Sequence, residues 1–357
     1  MNPLNRSSRL STALLLGLAL LAIAAIAGCG EKDENPPAAD LKKDRIVLLL
    51  DWNPNADHAG IYTGMEQGTF DKQGIDVDVE VPSDPAAVIK QVAAGRADLG
   101  ISYQNEVMEA RDAGVKIKAI AAIVTTPLNS IMWLKKSKIK SIKDLKGKTV
   151  ATSGAYGSTF LTVILKKVGL KPTDVKTVDV GYDLLPALVG GKADAIIGAY
   201  YNVEGVTLKQ KNRPATIIPV DKAGAPKYDE LVVIASEENL KDGGRTERYR
   251  RFLAGLANGT TLAIEDPKAA GDALVKSAKD LGGKNREFLD LSLKETLPVL
   301  KPAEGSAFGY MDPGVWATFG AFMRDQGILK NPPNTEDAYS NDFLPGQGPK
   351  DQLEAEN

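Results

Sequence analysis

The stretch "VAAGRADLGISY" (residues 92–103) returns in altered form as "LVGGKADAIIGAY" (residues 188–200), and this repetition decides how the chain is divided. Each copy passes from an apolar segment through Gly, a basic residue and Ala to Asp, and then enters an apolar run that finishes on Tyr. The copies begin at residues 92 and 188, much farther apart than the roughly 20 to 50 residues of solenoid repeats. The repetition therefore predicts two related lobes.

The Gly and Asp of each copy are expected to have structural roles. Gly95 and Gly191 stand where a helix would end, because Gly readily adopts the left-handed conformation that closes a helix. Asp98 and Asp194 then open strands at equivalent places in the two lobes. We expect them to support the sheets rather than to contact a ligand, and we expect the functional residues at the far ends of the same strands.

Strands and helices alternate along both halves of the chain. "RIVLLLDW" (residues 45–52) is a continuous apolar run typical of a buried parallel strand, and "GIDVDVEV" (residues 74–81) alternates as a second strand. Further on, a strand at residues 149–152 precedes a loop containing Gly and Ser and a helix from about Ser158. This order predicts an α/β fold in which each lobe is a mostly parallel sheet flanked by helices, with ligands at the carboxyl ends of the strands.

The composition fits a folded protein of about two domains and excludes nucleic acid as a partner. The 357 residues are 43% hydrophobic and 25% charged, which is enough to bury a sizeable core. The 44 basic and 46 acidic residues nearly cancel, so the chain has no excess of positive charge for a phosphate backbone.

The first residues have the pattern of an export signal. Arg6 and Arg9 precede an uncharged run over residues 10–28, which is also long enough to cross a bilayer as an uncleaved anchor. "IAGC" (residues 26–29) resembles the bacterial lipobox, and Cys29 is the one Cys of the chain, so it has no disulfide partner. We therefore expect a lipoprotein signal peptide at residues 1–28, lipidation of Cys29 and a flexible tether over residues 29–44.

Aromatic, amide and carboxylate side chains follow three of the predicted strands. They are Asp51, Trp52, Asn53, Asn55 and His58 after the first, Ser102, Tyr103, Asn105 and Glu106 after the first copy of the repeated stretch, and Tyr200, Tyr201, Asn202 and Glu204 after the second. In a cleft between lobes, Trp and Tyr would stack on a flat heterocycle, and a carboxylate would accept hydrogen bonds from its amino groups. If a helix starts at Tyr200, Glu204 lies on the same face. The alternative is that Trp52, Tyr103 and Tyr200 only cap the sheets as packing residues.

Several of these segments resemble the thiamine-pyrimidine precursor family, whose bacterial lipoproteins bind pyrimidines for an ABC importer. The likeness runs over residues 45–345, and "DWNPNADHAGIY" (residues 51–62) and "GAYYNVE" (residues 198–204) are its more specific parts. The resemblance implies that Trp52 and Tyr103 stack on the ring and that Glu204 with Tyr200 holds its amino edge. It further implies contacts from Asn55, His58, Glu106 and Tyr201, and from Ser153, Gly154, Gly157 and Ser158 for the ring substituent.

The resemblance also implies the fold and the mode of action. The fold is the two-lobed type II periplasmic binding protein with two crossovers: lobe 1 is residues 45–128 and 227–345, lobe 2 is residues 129–226, and residues 346–357 form a tail. The lobes would close about a hinge near residues 126–129 and 225–228, trap the pyrimidine, and present it to the permease of an ABC importer. The protein would be a monomer at the outer face of the cytoplasmic membrane or in the periplasm, held by lipid on Cys29.

An enzyme is the rival interpretation, because fungal members of the family make the thiamine pyrimidine with a Lys that holds pyridoxal phosphate. Ser102 stands at the position of that Lys, and Glu106 at the position of a His that the fungal reaction consumes. "AGAPKYDEL" (residues 223–231) lacks the Cys cluster of the fungal branch. His58 is the only His, no nucleophile elbow is present, and no metal motif exists. We therefore expect a binder with no cofactor, no metal and no catalytic residue.

The identity of the ligand is left between several compounds. Tyr201 and Val203 stand where bacterial members of the family commonly carry Trp and His. Formylaminopyrimidine or hydroxymethylpyrimidine comes first, and riboflavin, a sulfonate or another aromatic compound is the alternative. A sulfonate would be repelled by a buried Glu204.

Overall fold

The computed structural model describes residues 43–82, 87–181, 183–277, 286–332 and 334–346. The expected signal peptide, Cys29 and nearly all of the tether and tail lie outside these residues. Asp44, expected to end the tether, is instead the first residue of a strand. No helix within the described ranges has the length and apolar character that crossing a membrane requires.

The first sheet has five strands in the order β2-β1-β3-β10-β4. Its strands are β1 (Asp44–Leu49), β2 (Ile75–Glu80), β3 (Leu99–Ser102), β4 (Ile117–Val124) and β10 (Leu231–Ser236). β1 pairs in parallel with β2 and β3, whereas β10 lies antiparallel between β3 and β4. β3 and β10 are buried along their whole length because both faces of the sheet are covered.

The second sheet repeats this arrangement in the order β7-β6-β8-β5-β9. Its strands are β5 (Asn129–Leu134), β6 (Thr149–Thr152), β7 (Lys176–Asp179), β8 (Ala195–Tyr200) and β9 (Ala215–Pro219). β6 pairs in parallel with β7 and β8, and β5 lies antiparallel between β8 and β9. We call each sheet with its flanking helices a lobe, lobe 1 for the first and lobe 2 for the second, and the α/β class expected from the sequence is confirmed.

Eleven α-helices flank the two sheets within the described residues. They are α1 (Ala59–Glu66), α2 (Val88–Ala93), α3 (Gln104–Asp112), α4 (Gly154–Lys167), α5 (Leu184–Val189), α6 (Val206–Gln210), α7 (Val220–Ala223), α8 (Gly243–Glu265), α9 (Pro267–Ser277), α10 (Arg286–Leu300) and α11 (Pro313–Asp325). Short 3-10 turns occur at Ala56–His58, Asp71–Gln73, Ile142–Leu145, Pro172–Asp174 and Asn239–Lys241, and a π-helical turn at Tyr201–Gly205. α8 packs along α1 so closely that a Cβ on Gly259 would lie 2.4 Å from the carbonyl oxygen of Gly60.

The repeated stretch occupies the same place in both sheets. β3 and β8 are the third parallel strand of their lobes, and Gly95 and Gly191 both have a positive φ (69° and 76°) just beyond α2 and α5. Asp98 Oδ2 accepts a hydrogen bond from the amide of Val47 at 3.0 Å. Asp194 Oδ2 accepts one from the amide of Thr149 at 2.9 Å. Each Asp thus fixes the start of its strand against the neighbouring strand, which is the structural role expected of both.

The second copy is one residue longer because β8 contains a bulge. Ser130 pairs with Ala199 and Ile131 with Ile197, which leaves Gly198 between them without a partner in β5. Gly198 has φ 109°, a conformation that residues with a Cβ rarely adopt. Its backbone amide donates to Asn129 Oδ1 at 3.1 Å. The bulge re-aims the end of β8, where Tyr200 stands.

One local expectation is wrong. The residues predicted as a loop before Ser158 are helical, because α4 begins at Gly154 with Ser153 as its N-terminal cap residue. Gly and Ser usually indicate a loop. In the fold, β6 ends directly at the start of a helix that covers the second sheet, so these residues form its first turn.

Two short connections join the lobes. Residues 125–128 lead from β4 in lobe 1 to β5 in lobe 2, and residues 224–230 lead from α7 in lobe 2 back to β10. Stacked aromatic rings lie beside them: Phe160 of α4 stacks on Tyr228, and Tyr228 on Phe319 of α11, with ring centroids 5.6 and 4.7 Å apart. The second connection is therefore packed between α4 and α11.

Candidate functional site

A cavity of about 280 Å³ opens where the carboxyl ends of β1, β3, β6 and β8 converge. Residues of both lobes line it: Asp51, Trp52, Asn55, Asp57, Tyr103 and Glu106 from lobe 1, and Ser153, Leu184, Gly198, Tyr200, Val203 and Glu204 from lobe 2. Parallel strands bring their carboxyl ends to one edge of a sheet, which is why short segments so far apart in sequence meet here.

The structure brings seven of the predicted site residues to this cavity. They are Trp52, Asn55, Tyr103, Glu106, Ser153, Tyr200 and Glu204. Trp52 is 37% exposed, so its ring is available to a ligand. Four further predicted residues, His58, Gly157, Ser158 and Tyr201, are not among the described lining residues, and Gly154 starts the helix that follows Ser153.

These four residues have other surroundings. His58 is 1% exposed and contacts Asp51 from behind the cavity wall. Gly154 and Gly157 belong to the first turn of α4, and Ser158 Oγ in the next turn donates to Thr152 Oγ1 at 3.3 Å. Tyr201 lines a different cavity, together with Lys135 and Ile217.

A hydrogen-bonded chain of Tyr103, Asp51 and His58 forms one wall. The Tyr103 hydroxyl donates to Asp51 Oδ2 at 2.8 Å, and His58 Nε2 lies 2.8 Å from Asp51 Oδ1. Asn55 caps the turn at Ala56–His58, and its own amide donates to His58 Nδ1 at 3.2 Å. Burial raises the pKa of Asp51, but the hydrogen bonds from His58 and Tyr103 outweigh it, so the net pKa lies below its ordinary value.

Asp57 connects the two lobes at the side of the cavity. Asn202 Nδ2, just beyond β8, donates to Asp57 Oδ1 at 2.6 Å and to Thr296 Oγ1 of α10 at 2.8 Å. Ser292 Oγ of α10 donates to the carbonyl oxygen of Asn202 at 2.7 Å. Burial raises the pKa of Asp57 to about 7. Asn202 of lobe 2 is thus held by three hydrogen bonds to lobe 1.

Glu106 and Glu204 face the cavity from opposite lobes. Ser102 Oγ donates to Glu106 Oε2 at 2.7 Å, and burial raises the pKa of Glu106 to about 7. The amide of Tyr200 donates to Glu204 Oε2 at 2.7 Å, and burial raises the pKa of Glu204 as well. Tyr200 and Glu204 therefore stand together, but the turn between them is π-helical, so Glu204 caps the backbone of Tyr200 instead of stacking beside its side chain on an α-helical face.

The cavity is acidic. Four carboxylates line it, Asp51, Asp57, Glu106 and Glu204, and no Lys or Arg occurs among its described lining residues. Within the described part of the chain, no group of His, Cys, Asp and Glu is arranged to hold a metal ion. The side chains can therefore stack on a ring, accept several hydrogen bonds from it and attract positive charge.

Five residues that line the cavity, Asp51, Asp57, Leu184, Gly198 and Val203, were not among the predicted ligand contacts. Asp51 ends the apolar run of β1, and an ionisable residue there was a signal for its role. Asp57 and Leu184 carry no comparable signal, since their place depends on how the lobes meet. Gly198 was signalled by the extra residue in the second copy of the repeated stretch.

The comparisons with known proteins agree with this architecture. The family model NMT1/THI5 like matches residues 55–270. A Haemophilus influenzae protein named for thiamine biosynthesis is 33% identical over 291 residues, which are 80% of this chain and 88% of that protein. The formylaminopyrimidine-binding protein of Halalkalibacterium halodurans is 32% identical over 90% of this chain and 96% of its own.

More distant comparisons relate the chain to an enzyme and to a solved structure. A 4-amino-5-hydroxymethyl-2-methylpyrimidine phosphate synthase of Saccharomyces cerevisiae is 26% identical over 88% of this chain and 93% of its own. The alkanesulfonate-binding protein of Xanthomonas axonopodis pv. citri superposes with a TM-score of 0.64 at 16% identity, over 83% of this chain and 98% of its own. The expected periplasmic binding protein fold is confirmed, and the chain belongs to the NMT1/THI5-like family.

Proposed function

We propose that the protein is an extracytoplasmic substrate-binding lipoprotein of an ABC importer, and that it captures an aminopyrimidine precursor of thiamine between its two lobes. The observation that carries the proposal is the composition of the cavity. Aromatic rings from Trp52, Tyr103 and Tyr200 meet four carboxylates there, without a Lys or Arg among the described lining residues. The relative named as a formylaminopyrimidine-binding protein supports the same ligand class.

An aminopyrimidine matches this cavity chemically. Its flat ring stacks on an indole or a phenol, and its amino group and protonated ring nitrogen donate hydrogen bonds that a carboxylate accepts in pairs. Glu204 fits this role, because its Oε2 atom is already positioned by the amide of Tyr200. Glu106 lies on the facing lobe and is positioned by Ser102. The ligand would be held from both lobes at once.

The charge of the cavity argues against anionic ligands. A sulfonate or a phosphate ester would lie among four acidic side chains, of which Asp51 has a lowered pKa and is ionised, and burying like charges together is costly. The alkanesulfonate-binding protein shares the fold, but because of these acidic side chains we do not expect its ligand class here. An unphosphorylated pyrimidine, formylated or hydroxymethylated, remains the better match.

The size of the cavity favours a single ring. Its volume of about 280 Å³ lies just below the roughly 300 to 1,000 Å³ that small-molecule pockets span. Riboflavin, with three fused rings and a ribityl chain, would need the lobes to separate. Riboflavin stays an outcome of the titration below.

Capture by closure of the lobes is part of the proposal. Two crossovers of a few residues each join the lobes, and the cavity has walls from both. Opening about residues 125–128 and 224–230 would admit a ligand, and closing would shield it and create the surface that a permease recognises. The lipid on Cys29 would keep the protein at the outer face of the membrane.

A synthase is the second candidate, because synthases of yeast belong to the same group of relatives. Pyridoxal phosphate would need a Lys for its Schiff base, and the described lining contains none. Ser102 and Glu106 are instead hydrogen-bonded to each other at the positions matching the fungal Lys and His. The cavity does not fit that cofactor, so we derive no reaction.

Calorimetric titration of the purified protein with formylaminopyrimidine, hydroxymethylpyrimidine, thiamine and riboflavin tests the proposal. We expect one of the pyrimidines to bind with a Kd of about 1 μM or tighter, which corresponds to about 8 kcal/mol. Glu204→Gln should weaken that binding at least about tenfold, whereas the exposed Glu247→Gln should not change it. Binding of riboflavin alone would replace the ligand, and binding of none of the four would contradict the proposal.

A further inference from the structure

Glu230 is a buried carboxylate at the end of the second crossover. It is 4% exposed and accepts four hydrogen bonds. The amides of Leu128 and Asn129 donate to its Oε2 atom at 2.7 and 3.1 Å, and the Tyr228 hydroxyl donates to the same atom at 3.0 Å. The Tyr200 hydroxyl donates to Oε1 at 2.9 Å. All four of these partners are uncharged hydrogen-bond donors, two backbone amides and two tyrosine hydroxyls.

The two oxygens of Glu230 reach different parts of the molecule. Oε2 holds the end of the first crossover, since Leu128 and Asn129 lead into β5. Oε1 holds Tyr200, which ends β8 and lines the cavity. The backbone repeats the connection, because the amide of Tyr201 donates to the carbonyl oxygen of Leu128 at 3.2 Å. One side chain thus joins both crossovers to the cavity wall.

A carboxylate held in this way transmits small displacements. Burial raises the pKa of Glu230, whereas the hydrogen bonds that it accepts lower it. Each of these hydrogen bonds therefore helps to stabilise the ionised carboxylate. A ligand that shifts the Tyr200 ring must move Oε1, and the rigid carboxylate then changes the geometry at Leu128 and Asn129.

We propose that Glu230 is a positioning residue that couples occupancy of the cavity to the geometry of the two crossovers, by holding Tyr200 with one oxygen and the Leu128 and Asn129 amides with the other. No pattern in the sequence singles out Glu230. The inference rests on the proposed function for the use of the cavity, but its first test needs no ligand.

Two tyrosines provide a matched pair of variants. Tyr200→Phe and Tyr228→Phe each remove one hydroxyl that donates to Glu230, and both keep the ring. Only Tyr200 lines the cavity, whereas Tyr228 is fully buried between Phe160 and Phe319. A ligand effect that is transmitted through the cavity wall should therefore be lost in Tyr200→Phe and retained in Tyr228→Phe.

The experiment is amide hydrogen exchange of Leu128 and Asn129 by NMR, in the full chain, with and without hydroxymethylpyrimidine. Without ligand, we expect Tyr200→Phe to speed exchange at both amides about tenfold. With hydroxymethylpyrimidine at a concentration that saturates each variant, exchange should slow in the wild type and in Tyr228→Phe but not in Tyr200→Phe.

Two results would overturn the inference. One is exchange at the wild-type rate in ligand-free Tyr200→Phe, and the other is equal slowing by ligand in Tyr200→Phe and the wild type. If hydroxymethylpyrimidine does not bind the wild type, that ligand is refuted for the proposed function. The ligand-free comparison then still decides whether Tyr200 and Glu230 hold the crossovers.

Discussion

His58 donates its Nε2 proton to Asp51, and this pair sets the ionised state of the carboxylate that supports the cavity. The backbone amide of Asn55 donates a hydrogen bond to Nδ1 of the same ring. Nδ1 is therefore an acceptor, and the proton lies on Nε2. The imidazole is thereby fixed as one tautomer, and Asp51 remains an acceptor for the Tyr103 hydroxyl.

Replacing His58 should destabilise the protein. In His58→Ala the buried Asp51 carboxylate loses the hydrogen bond from His58, and leaving a buried charged acceptor without such a donor costs about 2–3 kcal/mol. Urea unfolding near pH 7 measures this loss, and the double variant with Asp51→Asn should recover part of it. Because the pKa of Asp51 is lowered by folding, its contribution is present above its ordinary value of 3.8 and is lost as the pH falls below it. Equal stability of His58→Ala and wild type would contradict the pairing.

Glu106 should make stability depend on pH in the opposite direction. Its pKa rises from 4.5 to about 7 on folding, so between these values the folded protein binds more protons than the unfolded one. Stability should therefore fall as the pH rises through this window, and Glu106→Gln should reduce that fall by about 2 kcal/mol.

The control is Glu247→Gln, whose exposed carboxylate should leave the slope unchanged. Part of the slope should remain in Glu106→Gln, because Asp57 and Asp229 also have pKa values raised to about 7. A series of urea midpoints from pH 4.5 to 8 measures it. An identical slope in wild type and Glu106→Gln would show that Glu106 titrates normally.

Gly198 should not tolerate a side chain. A residue with a side chain would have to adopt φ 109° at this position, and its Cβ would lie 3.1 Å from the Cβ of Ser153. We expect Gly198→Ala to cost about 1–3 kcal/mol of stability and to weaken ligand binding, since Gly198 lines the cavity. Gly243→Ala is the control, because a Cβ there meets nothing within 4 Å. Thermal unfolding measures both variants. Equal unfolding temperatures of Gly198→Ala and Gly243→Ala would disprove the strain.

Phosphorylation of the ligand should reduce affinity. At pH 8, above the pKa of about 7 to which burial raises Asp57 and Glu106, hydroxymethylpyrimidine phosphate places a double negative charge among the carboxylates, so we expect it to bind at least about tenfold more weakly than the free alcohol. Competitive titration at fixed ionic strength measures the ratio. The ratio should shrink in Glu106→Gln and Glu204→Gln. Equal affinity of ester and alcohol would mean that the substituent lies away from both carboxylates.

The repeated stretch was enough to predict two related lobes, because Gly95 and Gly191 and Asp98 and Asp194 keep the same local geometry in both. Six of the seven predicted residues that line the cavity follow strand ends, and residues at strand ends gather at one sheet edge regardless of the details of packing. Ser153 was expected only from the family resemblance.

Other features depend on contacts between distant segments, which a local pattern does not contain. The roles of Asp57 and Glu230 require knowledge of which residues approach from the other lobe or crossover. Tyr201 was expected beside Tyr200, but the π-helical turn that starts there directs it to another cavity. The start of α4 was missed because Gly and Ser usually indicate a loop.

The position of β10 between β3 and β4 has a consequence for the order of folding. All five strands of the second sheet come from one uninterrupted segment, residues 129–219, whereas the first sheet has a gap until residues 231–236 are available. Contacts that are closer in sequence form at a lower entropic cost, and a chain emerging from the ribosome supplies them earlier. The lobe whose first strand is synthesised first is therefore the last to be completed.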